Sequence, residues 1–329
     1  MYERIISIKH LLDAWQEFLR GKRTRKDVQE FGRDLMGNVI RLHKELSSGE
    51  YQHGGYAAFK INDPKPRDIH KALVRDRLLH HALYSALYPV FDRSFISDSY
   101  SCRKGKGTHK AIERFKLYAG QVSKNNTHTC WVLKCDIRKF FASIDHGILL
   151  HILTDRIHDE KLLTLLRSVI ESFSSTAPGK GLPLGNLTSQ LLVNVYMNEF
   201  DQFTKHTLKA HYYIRYADDF VILSHDREWL ESLIPHINEF LWSTLQLELH
   251  PKKVSIHTLA SGIDFLGWVH FPDHRVIRTS TKRRMLRRLK EAPDNDSVHA
   301  SYIGMLLHGN TYKLRDQSGL LAYRPHHAT

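Results

Sequence analysis

The sequence predicts an α+β fold in which an antiparallel sheet is backed by helices. Three observations support this prediction. Helical apolar periodicity dominates both ends of the chain, while strand-like segments and two hairpin patterns occupy residues 131–278. No strand is followed by the Gly-x-Gly-x-x-Gly turn of dinucleotide-binding folds. The length of 329 residues exceeds what one compact core usually holds, so two or three packed subdomains are expected.

The N-terminal part is predicted to be helical. Apolar residues recur at helical spacing over residues 8–19, and Gly21 ends that pattern. A second helical stripe covers residues 28–46. A third helix, in which basic residues are interspersed with apolar ones, is predicted for residues 69–88.

The middle of the chain supplies the predicted sheet. A buried strand is expected over residues 131–137, ending at Asp136. Two apolar arms between residues 212 and 224 predict a hairpin with Asp218-Asp219 at its tip. Helices are predicted for three further ranges: 147–157, 161–173 and 188–206.

The C-terminal part returns to helices. The pattern predicts, in order, a helix at residues 230–241, a hairpin at 263–278 around Pro272-Asp273, a strongly basic helix at 282–290, a linker at 291–297 and a last helix at 301–308.

Charge and composition narrow the class of function. Lys and Arg number 48 and Asp and Glu 35, which gives a formal net charge of +13. Cationic side chains displace counterions from phosphates, so a nucleic-acid partner is one interpretation and a merely basic surface is the other. Three cysteines without Cys-x-x-Cys spacing indicate neither a disulfide framework nor a zinc site. No signal-peptide core and no run of 18 apolar residues occurs, so a cytoplasmic protein without a membrane partner is expected.

Three aspartates form the most informative candidate site. Asp136 ends a strand and Asp218-Asp219 lies at a hairpin tip, so the three converge if these elements are neighbours in one sheet. Nucleotidyl transfer needs two divalent cations held by carboxylate oxygens, one to activate a 3′-hydroxyl and one to stabilise the leaving pyrophosphate. Taken singly, paired aspartates in a turn are usually solvated, and an aspartate after a strand is usually a helix cap.

Two motifs resemble those of reverse transcriptases. Tyr216-Ala217-Asp218-Asp219 is similar to their Tyr-x-Asp-Asp box, and residues 136–144 are similar to their Asp-x-x-x-Phe-Phe-x-x-Ile motif. The resemblance extends from about residue 56 to residue 314, with the motifs in the family's order. It implies a right-hand polymerase that copies RNA into DNA, with Asp136, Asp218 and Asp219 holding two Mg²⁺ ions, for which Mn²⁺ can substitute.

The resemblance also implies a division of the chain into subdomains. It consists of an N-terminal helical extension at residues 1–50, fingers at 51–130, a palm at 131–280 with a finger insertion around 147–185, and a thumb at 281–329.

Residues that would bind the incoming dNTP follow from further motifs. Arg67 and Lys65 lie in a segment resembling the family's Pro-Lys-x-x-Arg stretch, and an Arg fork with a Lys charge suits a triphosphate. Phe141 corresponds to the aromatic gate that rejects a 2′-hydroxyl, with a core phenylalanine as the alternative. Ile137 and Gln190 complete this part of the predicted site.

Lys253 is the last residue of the predicted dNTP site. Residues 247–253 resemble a Leu-x-Leu-Asn-x-x-Lys motif, in which the lysine protonates the leaving pyrophosphate. His250 replaces the usual Asn of this motif, and a solvated lysine is the alternative interpretation of Lys253.

Three segments are implied in holding nucleic acid. Residues 99–109 resemble a finger motif whose glycines let the backbone approach a ligand, with Thr108 as the cap of the following helix. Phe265-Leu266-Gly267-Trp268 resembles the hairpin that grips the primer. The basic helix would lie along the duplex backbone of an RNA–DNA hybrid through Arg283, Arg284, Arg287 and Arg288, with a solvated charged face as the alternative.

One motif departs from most bacterial reverse transcriptases. Where these have Gln-Gly-x-x-x-Ser-Pro, this chain has Leu184, Gly185, Ser189 and Gln190 in a Leu-Gly-x-x-x-Ser-Gln pattern. That variant resembles the reverse transcriptases of diversity-generating retroelements, as do residues 301–314. The resemblance implies misincorporation opposite adenines of a template RNA, with Leu184, Gly185 and Ser189 affecting fidelity. It also implies a small basic accessory variability protein as a partner.

Two alternatives stay open. A retron or phage-defence reverse transcriptase would share the chemistry and differ in biology, whereas a polymerase-like RNA-binding scaffold would have no catalysis. Intact carboxylates at all three positions argue against the scaffold. Because no nuclease or maturase region follows the predicted thumb, an intron-encoded protein is the less expected form.

Overall fold

The computed structural model describes residues 1–62, 66–175 and 177–321. Its strands are β1 (Tyr56–Ile61), β2 (Arg67–Ala72), β3 (Trp131–Asp136), β4 (Tyr213–Tyr216), β5 (Asp219–Ser224), β6 (Ser255–Thr258), β7 (Ile263–Phe265), β8 (Trp268–His270) and β9 (Arg275–Ile277). Its helices are α1 (Tyr2–Ile6), α2 (Ile8–Leu19), α3 (Lys26–Arg33), α4 (Leu35–Ser48), α5 (Val74–Phe91), α6 (Thr108–Val122), α7 (Phe140–Ser143), α8 (His146–Thr154), α9 (Glu160–Glu171), α10 (Leu187–Gln202), α11 (Arg227–Leu245), α12 (Thr279–Glu291), α13 (Asp296–Leu306) and α14 (Tyr312–Gln317).

A four-stranded antiparallel sheet in the order β4-β5-β3-β6 lies at the centre of the molecule. Successive side chains of a strand point to opposite faces, and both faces of this sheet are covered. Leu133 and Phe220 join the large core that includes α10 and α11, whereas Val132 and Val221 join a second core beneath α6. Helices on both faces therefore fix the ends of β3 and β5 relative to each other.

Two smaller antiparallel sheets flank the central one. The first is the hairpin of β1 and β2, in which Ile61 lies opposite Arg67. The second has the order β7-β8-β9 and shares a third core with helices α12 and α13 through Trp268, Met285 and Leu306. Because the strand pairs are antiparallel and helices cover both faces of the central sheet, the predicted α+β fold is confirmed.

The N-terminal helices pack against α5 and share the large core with the central sheet. Phe18 of α2 and Leu78 of α5, for example, are both fully buried in it. The division into an extension, fingers, palm and thumb stays a prediction. Within the described residues, no helix is long and apolar enough to cross a membrane.

Two helix predictions were wrong in the N-terminal part. The stripe at residues 28–46 is divided between α3 and α4, because Asp34 leaves helical geometry and its carboxylate accepts from the Gly37 N–H at 3.2 Å. The predicted helix at residues 69–88 begins only at Val74. Residues 67–72 pair with β1 instead, and this tertiary pairing outweighs local helical periodicity.

The C-terminal part also differs from its predicted pattern. Leu266 and Gly267 have positive φ angles of 51° and 87°, so residues 263–278 form two successive hairpins with an additional turn. The last predicted helix begins earlier, at Asp296, where the Asn295 side chain accepts from the Val298 N–H. The predicted linker is correspondingly shorter. The sequence patterns did not indicate β1, β6 or α14.

Candidate active site

The predicted aspartates lie together at the end of the central sheet, which we call the acidic edge (Asp136, Asp218 and Asp219). Asp136 and Asp219 are directly opposite each other in the β3–β5 pairing. The Ile137 N–H donates to the Asp218 carbonyl at 3.3 Å. Directly opposed residues in an antiparallel pair have Cβ atoms about 5 Å apart. The sheet register therefore brings together carboxylates that are more than 80 residues apart in the sequence.

Nearby positive charge compensates Asp218 and Asp219 only in part. Burial raises the pKa of Asp219 to about 6, and the neighbouring Asp218 and Asp136 carboxylates add to this, while Lys134 opposes it. Burial likewise raises the pKa of Asp218, with Asp136 adding and the charges of Lys253 and Arg67 opposing. A raised carboxyl pKa shows that the ionised form is unfavourable where it stands, and a bound cation would stabilise that form.

Lys253 reaches the acidic edge from the loop after α11. Its Nζ lies 2.6 Å from Asp136 Oδ1. The loop is held in place because the His250 N–H donates to the Asp136 carbonyl at 2.7 Å and the Lys253 N–H donates to the His250 carbonyl at 2.9 Å. His250 Nδ1 accepts from the Lys252 N–H at 3.3 Å, so the imidazole supplies a local acceptor where the family's motif has an Asn.

The donor set at the acidic edge suits hard divalent cations, because carboxylate oxygens are their preferred ligands. Within the part of the chain that the structure describes, no three His, Cys, Asp or Glu side chains are already arranged around an ion position. The Lys253 ammonium holds one oxygen of Asp136 in this arrangement. The chemistry of the donors and the incomplete compensation of Asp218 and Asp219 fit a divalent cation.

The other residues predicted to bind a dNTP differ in how exposed they are. Arg67 is exposed at the start of β2 and is close enough to lower the pKa of Asp218. Phe141 is half-buried, with its ring edge-on to Phe140 at a centroid distance of 5.5 Å. Gln190 is half-buried on the first turn of α10. Lys65 and the neighbouring Pro64 lie outside the described residues.

Ile137 offers little to a ligand. Its side chain is 1% exposed, and its N–H is already bonded to the Asp218 carbonyl. A dNTP contact through that side chain or that N–H is therefore contradicted by the packing. The residue instead ties the end of β3 to the turn that carries Asp218.

The Leu184-Gly185 segment is joined to strand β2. The His70 N–H donates to the Leu184 carbonyl at 3.0 Å, and Asn186 Nδ2 donates to the His70 carbonyl at 3.3 Å. Gly185 has φ +108°, and a Cβ there would lie 3.0 Å from Ile69 Cγ2. This close approach requires glycine. Ser189 is buried in α10, while the Leu184 side chain is half-buried.

The predicted primer-grip hairpin has two kinds of residue. The Phe265 and Trp268 side chains are 0% and 3% exposed and belong to two different cores, so they support the hairpin from inside, and the primer-grip role of the segment stays a prediction. Leu266 and Gly267 form the turn between β7 and β8 and are partly exposed. Within this four-residue segment, the turn is the part that a primer strand could contact.

The basic helix α12 presents its arginines differently. Arg283 is exposed, and Arg287 and Arg288 are exposed with Glu291 carboxylate oxygens at 3.7 and 3.8 Å. Arg284 is half-buried and has an interaction partner. Exposed pairs of this length are weak, so the three exposed cations stay accessible to phosphates.

The sequence patterns did not indicate Arg215, a buried side chain that supports the turn carrying Asp218. Arg215 on β4 is 0% exposed and pairs with Asp201 through two bonds of 2.7 and 2.6 Å. Its Nη1 donates to the Ala217 carbonyl at 3.2 Å, and its Nη2 donates to Ser99 Oγ at 3.0 Å. The signal was present, because a lone arginine in an otherwise apolar strand must find a buried partner.

A second support reaches the same turn from α6. Thr108 Oγ1 donates to the Tyr216 hydroxyl at 3.2 Å. The prediction that Thr108 caps α6 was wrong, because the cap position is Gly107, with φ +111°, and no side chain caps that helix end. The Gly/Lys loop at residues 99–109 therefore contacts the Tyr-x-Asp-Asp segment directly.

An antiparallel sheet with carboxylates at one edge, helices behind it and a basic helical subdomain beside it defines a right-hand polymerase fold. The chain belongs to the reverse transcriptase (RNA-dependent DNA polymerase) family, whose model matches residues 62–270. Reverse transcriptases of this family generally use divalent metal ions.

The relatives of this chain include intron-encoded proteins. It is 27% identical to protein YkfC of Escherichia coli K12, over 77% of this chain and 74% of YkfC. It is 23% identical to the group II intron-encoded protein LtrA of Lactococcus lactis subsp. cremoris, over 73% of this chain but only 49% of LtrA. The chain thus spans about half the length of LtrA.

Solved telomerase structures share the fold. Telomerase from Candida albicans, in complex with a fragment of telomeric RNA, aligns with a TM-score of 0.55 at 12% identity, over 83% of this chain and 56% of that one. Apo telomerase from Candida tropicalis, truncated from its C-terminal domain, aligns with a TM-score of 0.52 at 12% identity, over 70% of this chain and 55% of that one. At such identities the likeness concerns the right-hand fold alone.

Proposed function

We propose that Asp136, Asp218 and Asp219 are the metal-binding catalytic carboxylates of an RNA-directed DNA polymerase that uses two Mg²⁺ ions. The single observation that carries this proposal is the pairing of Asp136 with Asp219 across β3 and β5. When bound, such cations would activate a primer 3′-hydroxyl and stabilise the leaving pyrophosphate. Partners of this activity are a template RNA, the growing RNA–DNA hybrid and dNTPs.

Nearby side chains take supporting roles in this proposal. Lys253, already at the acidic edge, is suited to neutralise or protonate the departing pyrophosphate. Arg67 is suited to the triphosphate, because its charge acts on Asp218 from the finger strand. Phe141 is suited to the sugar, since its ring is only half-buried while Phe140 is in the core.

Primer extension tests the catalytic proposal. With an RNA template, a DNA primer, dNTPs and Mg²⁺, we expect Asp218→Asn and Asp136→Asn to reduce extension by roughly three orders of magnitude or more, because several kcal/mol of charge stabilisation are lost. Asp13→Asn, on an exposed position of α2, is the control and should extend normally. Extension by Asp218→Asn at the normal rate would exclude the proposal. RNA binding without extension by the unaltered chain would instead support a non-catalytic scaffold.

We further propose that the enzyme is of the diversity-generating retroelement type and makes errors opposite template adenines. Support comes from the Leu-Gly-x-x-x-Ser-Gln pattern at residues 184–190. Leu184 is half-buried, its carbonyl is bonded to His70, and its side chain cannot make the hydrogen bonds of a glutamine. Loss of polar contacts removes discrimination that unpaired groups would otherwise enforce. A small basic accessory variability protein would then be a partner.

Error frequencies test this subtype. Products copied from an adenine-rich RNA are sequenced for the unaltered chain and for Leu184→Gln. We expect the substitution to lower misincorporation opposite adenine, with the extension rate maintained. Equal error spectra would contradict the proposed role of Leu184.

A second candidate is an intron-associated or retron-like reverse transcriptase. The specific observation in its favour is the similarity to the intron-encoded protein LtrA. The two candidates differ in template: copying that depends on a structured intron RNA, with even errors at all four bases, would favour the second. Adenine-biased errors on a repeat-containing RNA would favour the first.

A further inference from the structure

A cavity of about 270 Å³ lies outside the acidic edge, between α6, the turn that joins β8 to β9 and the loop after α13. We call it the outer cavity. The strand β8 runs from Trp268, next to the Leu266-Gly267 turn, to His270 at the cavity. The outer cavity therefore lies at the opposite end of the three-stranded sheet from the turn available to a primer.

Aromatic and imidazole rings surround the outer cavity. Phe271 and His274 are stacked, with centroids 4.8 Å apart and planes inclined by 12°. His308, on the opposite wall, stacks on His109 of α6 at 3.6 Å. His270 is 3% exposed, and burial lowers its pKa to about 4, so this ring is neutral at physiological pH. Rings of this kind are the surfaces on which unstacked RNA bases are held.

Positive charge accompanies these rings. Lys116 and Arg275 line the outer cavity, and both also line an adjoining groove that contains Lys124. The acidic groups here are Asp273, to which Asn126 Nδ2 donates at 3.1 Å, and Glu113 in the groove. The resulting balance favours an anionic chain that runs past the mouth of the cavity, and it disfavours a basic protein partner.

The walls of the outer cavity are held rigidly. Arg275 Nε donates to the His308 carbonyl, and the Asn310 N–H donates to the Arg275 carbonyl at 2.9 Å. At Gly309 an added Cβ would lie only 2.0 Å from the Trp268 ring, so the loop after α13 packs directly on β8. A preformed pocket loses little conformational entropy when it binds a ligand.

We propose that the outer cavity binds one unstacked nucleobase of a single-stranded RNA, with the adjoining phosphates on Lys116 and Lys124. The volume is close to the lower limit of about 300 Å³ for small-molecule pockets, which suits a base better than a whole nucleotide. This inference rests on the family's use of RNA and goes beyond the proposed polymerase site. It gives the enzyme a second hold on its template away from the acidic edge.

Equilibrium binding of a fluorescein-labelled oligouridylate of about 15 nucleotides to the full chain tests the proposal. For Phe271→Ala combined with His274→Ala, we expect affinity to fall by roughly five- to 150-fold, the range expected for one lost stacking contact. Trp242→Ala combined with His236→Ala, two exposed residues of α11, is the matched control and should bind normally. Phe271→Tyr should also bind normally, because it keeps a stacking ring.

Two further measurements separate this site from catalysis and from misfolding. Extension of a preformed short RNA–DNA hybrid at saturation should stay within about twofold of normal in the double variant, which shows that the fold is intact. A 4-thiouridine oligonucleotide should crosslink to residues 271–275 or 307–310, also in an Asp218→Asn chain. Unchanged oligouridylate affinity in the double variant, or crosslinks confined to other segments, would overturn the proposal whatever the fate of the polymerase activity.

Discussion

At the scale of single residues, the acidic edge depends on side chains that do not reach a substrate. Arg215 places a full positive charge in the core and is paired with Asp201 on α10. Its Nη1 donates to the Ala217 carbonyl, and Ala217 has the positive φ of 56° that turns the chain toward Asp218. The ion pair thus links the back of the sheet to the geometry of the proposed metal ligands. Such a pair specifies a conformation more than it adds stability.

Breaking the buried pair should be expensive. Arg215→Met leaves the Asp201 carboxylate buried without its partner, so we expect the free energy of unfolding to fall by about 3–5 kcal/mol. Arg227→Met is the matched control, because it removes an exposed pair with Glu231 and should cost less than about 1 kcal/mol. Urea unfolding measures both. A further change of Asp201→Leu in the Arg215→Met chain should restore part of the loss, and a further drop would contradict the assignment.

A buried histidine, His80, should make the stability of the folded chain depend on pH. His80 is 2% exposed, contacts Thr188 Oγ1 of α10 and lies 3.1 Å from His53, and burial lowers its pKa to about 3. The unfolded chain therefore binds a proton near pH 6.5 that the folded chain rejects. Stability should decrease as the pH falls below 6.5, and at pH 5 this single group should account for about 2 kcal/mol.

Unfolding at two pH values measures this effect. Between pH 7 and pH 5, the free energy of unfolding of His80→Gln should fall by about 2 kcal/mol less than that of the unaltered chain. This comparison does not depend on the stability of the variant at pH 7. His225→Gln, at an exposed position, should show the normal loss. The same pH dependence in all three proteins would mean that folding does not lower the pKa of His80, so that the folded chain binds this proton as readily as the unfolded chain.

At the scale of elements, local patterns were informative where an element is both regular and locally capped. The strand at residues 131–137, the hairpin at 212–224 and α2 agree with their predicted positions to within a few residues. The patterns were misleading at residues 69–72, because pairing with β1 is a long-range contact that no local periodicity encodes. The acidic edge was anticipated from motif order, whereas Arg215 and the burial of Phe265 and Trp268 depend on which strands become neighbours.

The loop after α13 packs closely on β8, so its stability should depend on the size of the residue at position 309. Gly309→Ala would force a Cβ against the Trp268 ring, and overpacking of this kind costs about 1–3 kcal/mol. Gly304→Ala is the matched control, since that position in α13 is open and alanine is the better helix former. Thermal unfolding should show a lower Tm for Gly309→Ala and an equal or higher Tm for Gly304→Ala. Equal effects of the two substitutions would mean that the loop moves away from β8 freely.

At the scale of the whole molecule, charge and fold act together. The formal net charge of the protein is +13. The acidic edge would nevertheless repel phosphates when no cation is bound there. The energy of binding nucleic acid must therefore come from basic surfaces around that edge. The exposed arginines of α12 and the lysines beside the outer cavity are two such surfaces. Binding to both would let the chain hold a hybrid and its single-stranded template at the same time.

Salt dependence distinguishes a phosphate contact on α12 from a solvated charged face. Each phosphate contact adds roughly one unit to the slope of log affinity against log salt, so Arg283→Gln should reduce that slope by about one on an RNA–DNA hybrid, equally for unrelated sequences. Arg33, which is exposed on α3, provides the control. Arg33→Gln changes the net charge by the same amount, and we expect it to leave the slope unchanged. Affinities measured between low and moderate KCl provide both slopes. If the two substitutions change the slope equally, the hybrid senses only the overall charge of the protein, and α12 has no specific position along the duplex.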